Sequence, residues 1–197
     1  QSAIHRKYDL SRLKYIMVGG SKLTESIINS FAQIFPLSCR LVQTYGLTEA
    51  GPRVTTKIIE KHEVPVPQCV GKPFPEIDIR IQTAEGREAI VGEIGEIQVR
   101  TPTRMLGYYK HRDFTREVLT DDGYLRTGDL GYLNEQGQLS VIGRIKNLII
   151  KGGKKISPEE IEDILLLHPR VREAKVYGEA CESGEERIHA DIVLDEE

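Results

Sequence analysis

No stretch of eighteen apolar residues occurs in the chain, and no secretory leader pattern opens it. A membrane-spanning helix and an export signal are therefore not expected. Cysteine is scarce: the three, Cys39, Cys69 and Cys181, form an odd set without metal-ligand spacing. Isolated, reduced thiols in a cytoplasmic protein are the expected state. The five histidines (His5, His62, His111, His168 and His189) are scattered and form no HxxxH or HExxH pattern. That argues against a metal held by protein imidazoles. Neither sign of charge is in large excess. Lysine and arginine total 27 against 30 acidic residues, a net charge of -3, so no global positive field points to nucleic acid. Internal repeats and low-complexity tracts are absent. Lys151-Gly152-Gly153-Lys154-Lys155 lacks the GxxxxGK[ST] spacing of a phosphate-cradling loop, and Gly19-Gly20-Ser21 is not a dinucleotide fingerprint.

What remains is an ordinary globular mixture: 197 residues, 39% hydrophobic and 29% charged. That suffices for one medium domain or two small ones. The chain opens at Gln1 and stops at Glu197, just after a strand-like run. Both ends are expected to be cuts through something larger.

Residues 13–18 read as a short strand, followed by a turn at Gly19-Gly20-Ser21. Ile27, Ile28, Phe31, Ile34 and Phe35 then recur at helical spacing as far as Pro36, with Thr24 as the cap. Residues 39–44 form a second expected strand, leading into a turn at Tyr45. Strand, helix, strand with ligand groups after the strands suits the edge of an α/β sheet. The middle changes character. Val64-Pro-Val-Pro67 and Lys72-Pro-Phe-Pro75 are punctuated loops, and residues 77–82 and 95–100 alternate like half-buried strands. A small barrel or folded sheet is expected over about residues 65–110, with a short helix over 114–119. Residues 137–142 and 148–151 read as strands. Ser157-Pro158-Glu159-Glu160 reads as a helix start, with Ser157 and Glu160 as a capping box. Strands over 171–177 and 188–194 complete a second small α/β domain.

Chemistry concentrates in three clusters. Thr44-Tyr45-Gly46-Leu47-Thr48-Glu49 offers a ring for a base, a hydroxyl for a phosphate and a carboxylate for magnesium. Each has a plainer reading: Tyr45 as a packed strand-end ring, Gly46 as a turn glycine, Thr48 as a local cap and Glu49 as a solvated surface group. In Tyr124-Leu-Arg-Thr-Gly-Asp129, Asp129 can accept two ribose hydroxyls or merely cap a turn. In the third cluster, Gly143-Arg144-Ile-Lys146 with Lys151-Gly152-Gly153, Arg144 has the planar donor fork suited to ribose or phosphate. Its plainer role is a solvated arginine after a hairpin. Lys146 stands where a backbone rotation would separate two domains, or is only a charged linker residue.

Taken in order, Tyr45-Gly-Leu-Thr-Glu49, Gly95-Glu-Ile-Gln-Val-Arg100, Gly107-Tyr-Tyr109, Gly123-Tyr-Leu-Arg-Thr-Gly-Asp129, Gly143-Arg-Ile-Lys146 and Ser157-Pro-Glu-Glu-Ile-Glu162 resemble the adenylate-forming superfamily of acyl-CoA synthetases, adenylation domains and luciferase-like enzymes. The likeness runs from Tyr8 onward and is strongest to the acyl-CoA ligases. It implies an α+β multidomain fragment. Residues 1–64 would be the α/β edge of the large N-terminal domain and 65–143 a small β-barrel-like subdomain. Residues 144–197 would be part of the small α/β C-terminal domain.

The resemblance also implies an activity. A carboxylic acid would be joined to AMP from ATP with Mg²⁺, and the acyl group then passed to coenzyme A. Thr48 would contact the α-phosphate and Glu49 would place Mg²⁺, these two being the catalytic pair. Tyr45, with Gly46 beside it, would stack near adenine. Asp129 and Arg144 would bind ribose. Gly20 and Ser21 would line the adenine and acyl pocket. Lys146 would be the hinge, and Gly152 and Gly153 the loop brought to the thiol. The superfamily's Ser/Thr/Gly-rich phosphate loop and its late catalytic lysine have no counterpart in residues 1–197. The isolated chain is therefore expected to be inactive and to bind ATP weakly or not at all. Two other readings stay open: an adenylation domain that loads a carrier protein, and a truncated, non-catalytic interaction module. Leu47 and Lys146 stand where peptide-synthetase adenylation domains usually carry proline and aspartate, which favours the CoA ligases. The acid is not readable from the sequence.

Overall fold

The apolar spacing at the start of the chain builds a β–α–β unit. In the computed structural model, which describes residues 7–20, 23, 25–60, 68–181 and 186–195, β1 (Tyr15–Gly19) and β2 (Arg40–Leu47) pair in parallel, from Tyr15 opposite Arg40 to Gly19 opposite Thr44. A parallel pair needs a crossover, and α1 (Glu25–Ile34) supplies it. Ile28 and Phe31 lie about one turn apart on α1 and are buried with Cys39, Leu41 and Ile59. The rings of Phe31 and Phe35 stack at 5.3 Å. Thr24, the expected cap, lies outside the described residues.

Antiparallel strands extend this unit. β3 (Gly51–Ile59) returns beside β2, and β4 (Cys69–Pro73) follows. Then come β5 (Asp78–Gln82), β6 (Gly95–Arg100), α2 (Arg112–Val118), β7 (Leu125–Leu133) and β8 (Leu139–Arg144). The eight strands form one sheet in the order β1-β2-β3-β4-β8-β7-β6-β5.

This corrects the expected β-barrel-like subdomain: among the described residues no sheet closes on itself. The reason lies in β4. One of its edges pairs with β3, Thr55 opposite Pro73, and the other with β8, Cys69 opposite Ser140. With both edges used, the later strands become a continuation of the N-terminal sheet. β5 stays at the far margin, paired to β6. The architecture is α+β, with one large open mixed sheet and two small two-stranded ones.

Ile97, Val99 and Leu139 are fully buried at the centre of the larger apolar cluster, with Val54, Ile81 and Leu125. Each such side chain contributes about 1.5–3 kcal/mol of burial free energy. Cys39 and Cys69 are buried free thiols.

The chain divides into two compact units, Gln1–Thr127 with Tyr132–Val141, and Gly128–Gly131 with Ile142–Glu197. The second contains a 3₁₀ turn (Ile145–Asn147), the hairpin β9 (Ile149–Lys151) and β10 (Lys154–Ile156), α3 (Pro158–Leu165), and the hairpin β11 (Val171–Ala180) and β12 (Glu186–Leu194). Glu162 ties α3 to β11 by accepting the Val176 N–H at 2.8 Å. Ser157 and Pro158 do begin α3, but the capping box is not formed. The Ser157 hydroxyl lies 2.8 Å from Glu159 Oε2 and 3.1 Å from the Ile142 carbonyl, to which its proton is directed, while its oxygen accepts no N–H of the first turn. Among the described residues no helix is long and apolar enough to cross a membrane.

Candidate functional site

In the first unit the carboxyl ends of β1 and β2 lie side by side, because Gly19 faces Thr44 across the parallel ladder. That is where open α/β sheets receive ligands. Gly20 follows directly after β1, whereas Ser21 lies outside the described residues. β2 continues through Tyr45, Gly46 and Leu47, so the turn itself is Thr48–Ala50, closed by Ala50 N donating to Leu47 O at 3.1 Å. Thr48 is exposed and Glu49 half-buried. Tyr45 is half-buried and packs against the larger apolar cluster. Gly46 has a structural requirement of its own. A Cβ there would lie 2.4 Å from the Pro52 carbonyl carbon and 2.5 Å from its oxygen, across the hairpin.

A segment distant in sequence holds this turn. Met105 N donates to Glu49 O at 2.8 Å, and Thr103 Oγ1 donates to Ala50 O at 2.6 Å. Tyr108 Oη donates to Glu49 Oε1 at 2.8 Å. That bond, then burial and the carboxylate's charge, push the Tyr108 phenol above its ordinary range. The sequence singled out Gly107-Tyr-Tyr109 as a motif but gave Tyr108 no role. The motif was the available signal.

In the second unit Asp129 is only 4% exposed and lies within β7, not in a turn. Arg144, the last residue of β8, places Nε 3.0 Å from Asp129 Oδ1. A buried carboxylate needs such partners, and this one fixes its rotation. Lys146 is exposed in the 3₁₀ turn. Gly152 and Gly153 are the two central residues of the β9–β10 hairpin, since Lys151 pairs with Lys154. Their φ values, 57° and 73°, are those of a type I′ turn. Gly153→Ala is expected to destabilise this hairpin by about 1–2 kcal/mol through left-handed strain. Faster amide hydrogen exchange confined to β9 and β10 would show it.

The structure thus places Gly20 one residue beyond the Gly19–Thr44 pair and brings Asp129 to Arg144. Lys146 and the two hairpin glycines are placed on the second unit. Among the described residues no group of three or more His, Cys, Asp or Glu side chains could hold a metal. A lone carboxylate such as Glu49 suits only an ion held mostly by phosphate and water.

Known proteins resemble the chain in sequence and fold. The chain is 36% identical over 190 residues to the fatty acid–[acyl-carrier-protein] ligase ScoC of Streptomyces coeruleorubidus, covering 94% of this chain and 36% of that protein. Among solved structures, the amide bond synthetase McbA of Marinactinospora thermotolerans superposes with a TM-score of 0.85 at 28% identity, covering 100% of this chain and 40% of that one. The O-succinylbenzoate coenzyme A synthetase MenE of Bacillus subtilis, in complex with ATP and magnesium, superposes with a TM-score of 0.81 at 30% identity, covering 98% and 39%. The chain therefore spans about two fifths or less of the length of these relatives. The match to the AMP-binding enzyme description extends over residues 1–109, more than half of the sequence, and the chain belongs to that family.

Proposed function

We propose that the natural-length protein is an ATP-dependent ligase that activates a carboxylic acid as its acyl-adenylate and then passes the acyl group to coenzyme A. The observation that carries the reading is the Glu49 carboxylate. It stands on a braced turn at the carboxyl ends of two parallel strands. In the first half-reaction a carboxylate oxygen of the acid attacks the α-phosphorus of ATP, and the bond to the pyrophosphate oxygen breaks. In the second, the thiol sulfur attacks the acyl carbon and AMP leaves.

The roles follow the chemistry of each side chain. Glu49 would hold Mg²⁺, which offsets the negative charge that builds on the phosphates. The exposed Thr48 hydroxyl donates to an α-phosphate oxygen. Tyr45 offers adenine the part of its ring that the core leaves uncovered, with Gly46 setting the strand beneath it. Gly20 and Ser21 line the adenine and acyl pocket. Asp129 accepts the ribose hydroxyls, joined by Arg144, whose Nε lies 3.0 Å from the Asp129 carboxylate. Lys146 is the hinge for residues 144–197, and Gly152 and Gly153 carry the β9–β10 hairpin toward the thiol.

A second acceptor is favoured by one observation, the 36% identity to a ligase named for an acyl carrier protein. Leu47 and Lys146 weigh toward coenzyme A. The test is pyrophosphate release by the natural-length protein across short, medium, long and aromatic acids, with coenzyme A or a phosphopantetheinylated carrier as acceptor. Acid-dependent release with acyl-CoA formation is the expected result. Release with acyl-carrier formation alone would move the reading to the carrier-loading enzymes. The 197-residue chain by itself is expected to bind ATP weakly or not at all by calorimetry.

A further inference from the structure

Glu49 does not project freely from its turn. Tyr108 lies fifty-nine residues away in sequence, yet its hydroxyl reaches Oε1. Tyr108 is itself fixed. Its N–H donates to Thr115 Oγ1 at 2.9 Å, and its carbonyl accepts from His111 N at 3.1 Å. The ring is thus anchored by its backbone to α2 at one end and by its hydroxyl to Glu49 at the other. A glutamate side chain left to itself samples several rotamers and loses that freedom when it binds a ligand. Here the freedom is already reduced by the Tyr108 hydroxyl, which donates to Oε1.

We propose that Tyr108 is the positioning residue for Glu49: its phenol holds Oε1 and so aims the remaining carboxylate oxygen at the hydrated magnesium of bound ATP. This rests on the ATP-dependent reading of the same turn. Groups that hydrogen-bond a metal's carboxylate ligand tune affinity through orientation.

The plainer alternative is that Tyr108 only staples residues 101–108 to the turn, as Thr103 does through Ala50 O. The two are separated by measuring ATP affinity of the natural-length protein calorimetrically, with Mg²⁺ and with EDTA, for the unsubstituted protein, Tyr108→Phe and Thr103→Val. The readout is the ratio of the two affinities. Tyr108→Phe is expected to lower that ratio about 10-fold. Thr103→Val is expected to lower the thermal midpoint and leave the ratio unchanged. An unchanged ratio in Tyr108→Phe, or an equal fall in both variants, would overturn the positioning role and leave the ATP reading intact. No magnesium-linked ATP binding in the unsubstituted protein would overturn both.

Discussion

Glu49→Gln in the natural-length protein is expected to lower acid-dependent pyrophosphate release about 100-fold or more, the scale of losing one preorganised charge-stabilising element at a reacting centre. The substitution keeps the size of the side chain and still offers Tyr108 an amide oxygen, so the turn should survive. What disappears is the negative charge that would hold magnesium against the phosphates. Glu49 is the carboxylate on this turn, and no cluster of three or more metal-binding side chains stands among the described residues to replace it. Raising the magnesium concentration should recover only part of the rate. The check is a set of pyrophosphate-release rates for both proteins over a magnesium series, with a thermal melt confirming that the variant is folded. A rate near that of the unsubstituted protein would assign Glu49 to the solvated surface and remove the metal from this turn.

Gly46→Ala is expected to lower stability by about 3 kcal/mol or more, at the upper end of overpacking effects. The methyl group would sit 2.4 Å from the Pro52 carbonyl carbon, well inside contact distance. The obstacle is backbone, so no side-chain rotation relieves it. Moving Pro52 would disturb the ladder that pairs Tyr45 with Thr55 and Leu47 with Gly51, where the register already shifts. The same displacement would carry Thr48 and Glu49 away from Tyr108 and Met105. Activity should therefore fall with stability, not independently of it. Denaturant unfolding measures the first effect. A variant with unchanged unfolding midpoint would show that the hairpin accommodates a side chain and that Gly46 is not needed for packing.

The parts of the fold written in short-range spacing were legible. Ile28 and Phe31 announce α1, and the alternation at residues 95–100 announces β6. β3 was not read, because its buried positions include Thr55, whose hydroxyl is satisfied by the Val70 carbonyl at 2.8 Å. A buried but hydrogen-bonded threonine hides an apolar pattern. The barrel expectation failed for a different reason. Whether strands close or continue depends on β4 meeting β8, Cys69 opposite Ser140, and residue spacing does not encode so distant a pairing. The capping box at Ser157 had the right residues, but the hydroxyl donates toward Glu159 and Ile142 and its oxygen accepts no N–H of the first turn. At the site, Tyr45, Thr48, Glu49, Asp129 and Arg144 were nominated from side-chain chemistry and motif order. Tyr108 was not, since its importance lies in a contact that only the folded chain creates.

Adenylate formation is tested most directly by exchange of labelled pyrophosphate into ATP, measured on the natural-length protein with magnesium and without any thiol. This isolates the first half-reaction from the identity of the acceptor. Label should return to ATP only when a suitable carboxylic acid is present, and Glu49→Gln should suppress it. Absence of exchange with short, medium, long and aromatic acids alike would contradict the assignment of this turn to an adenylating site.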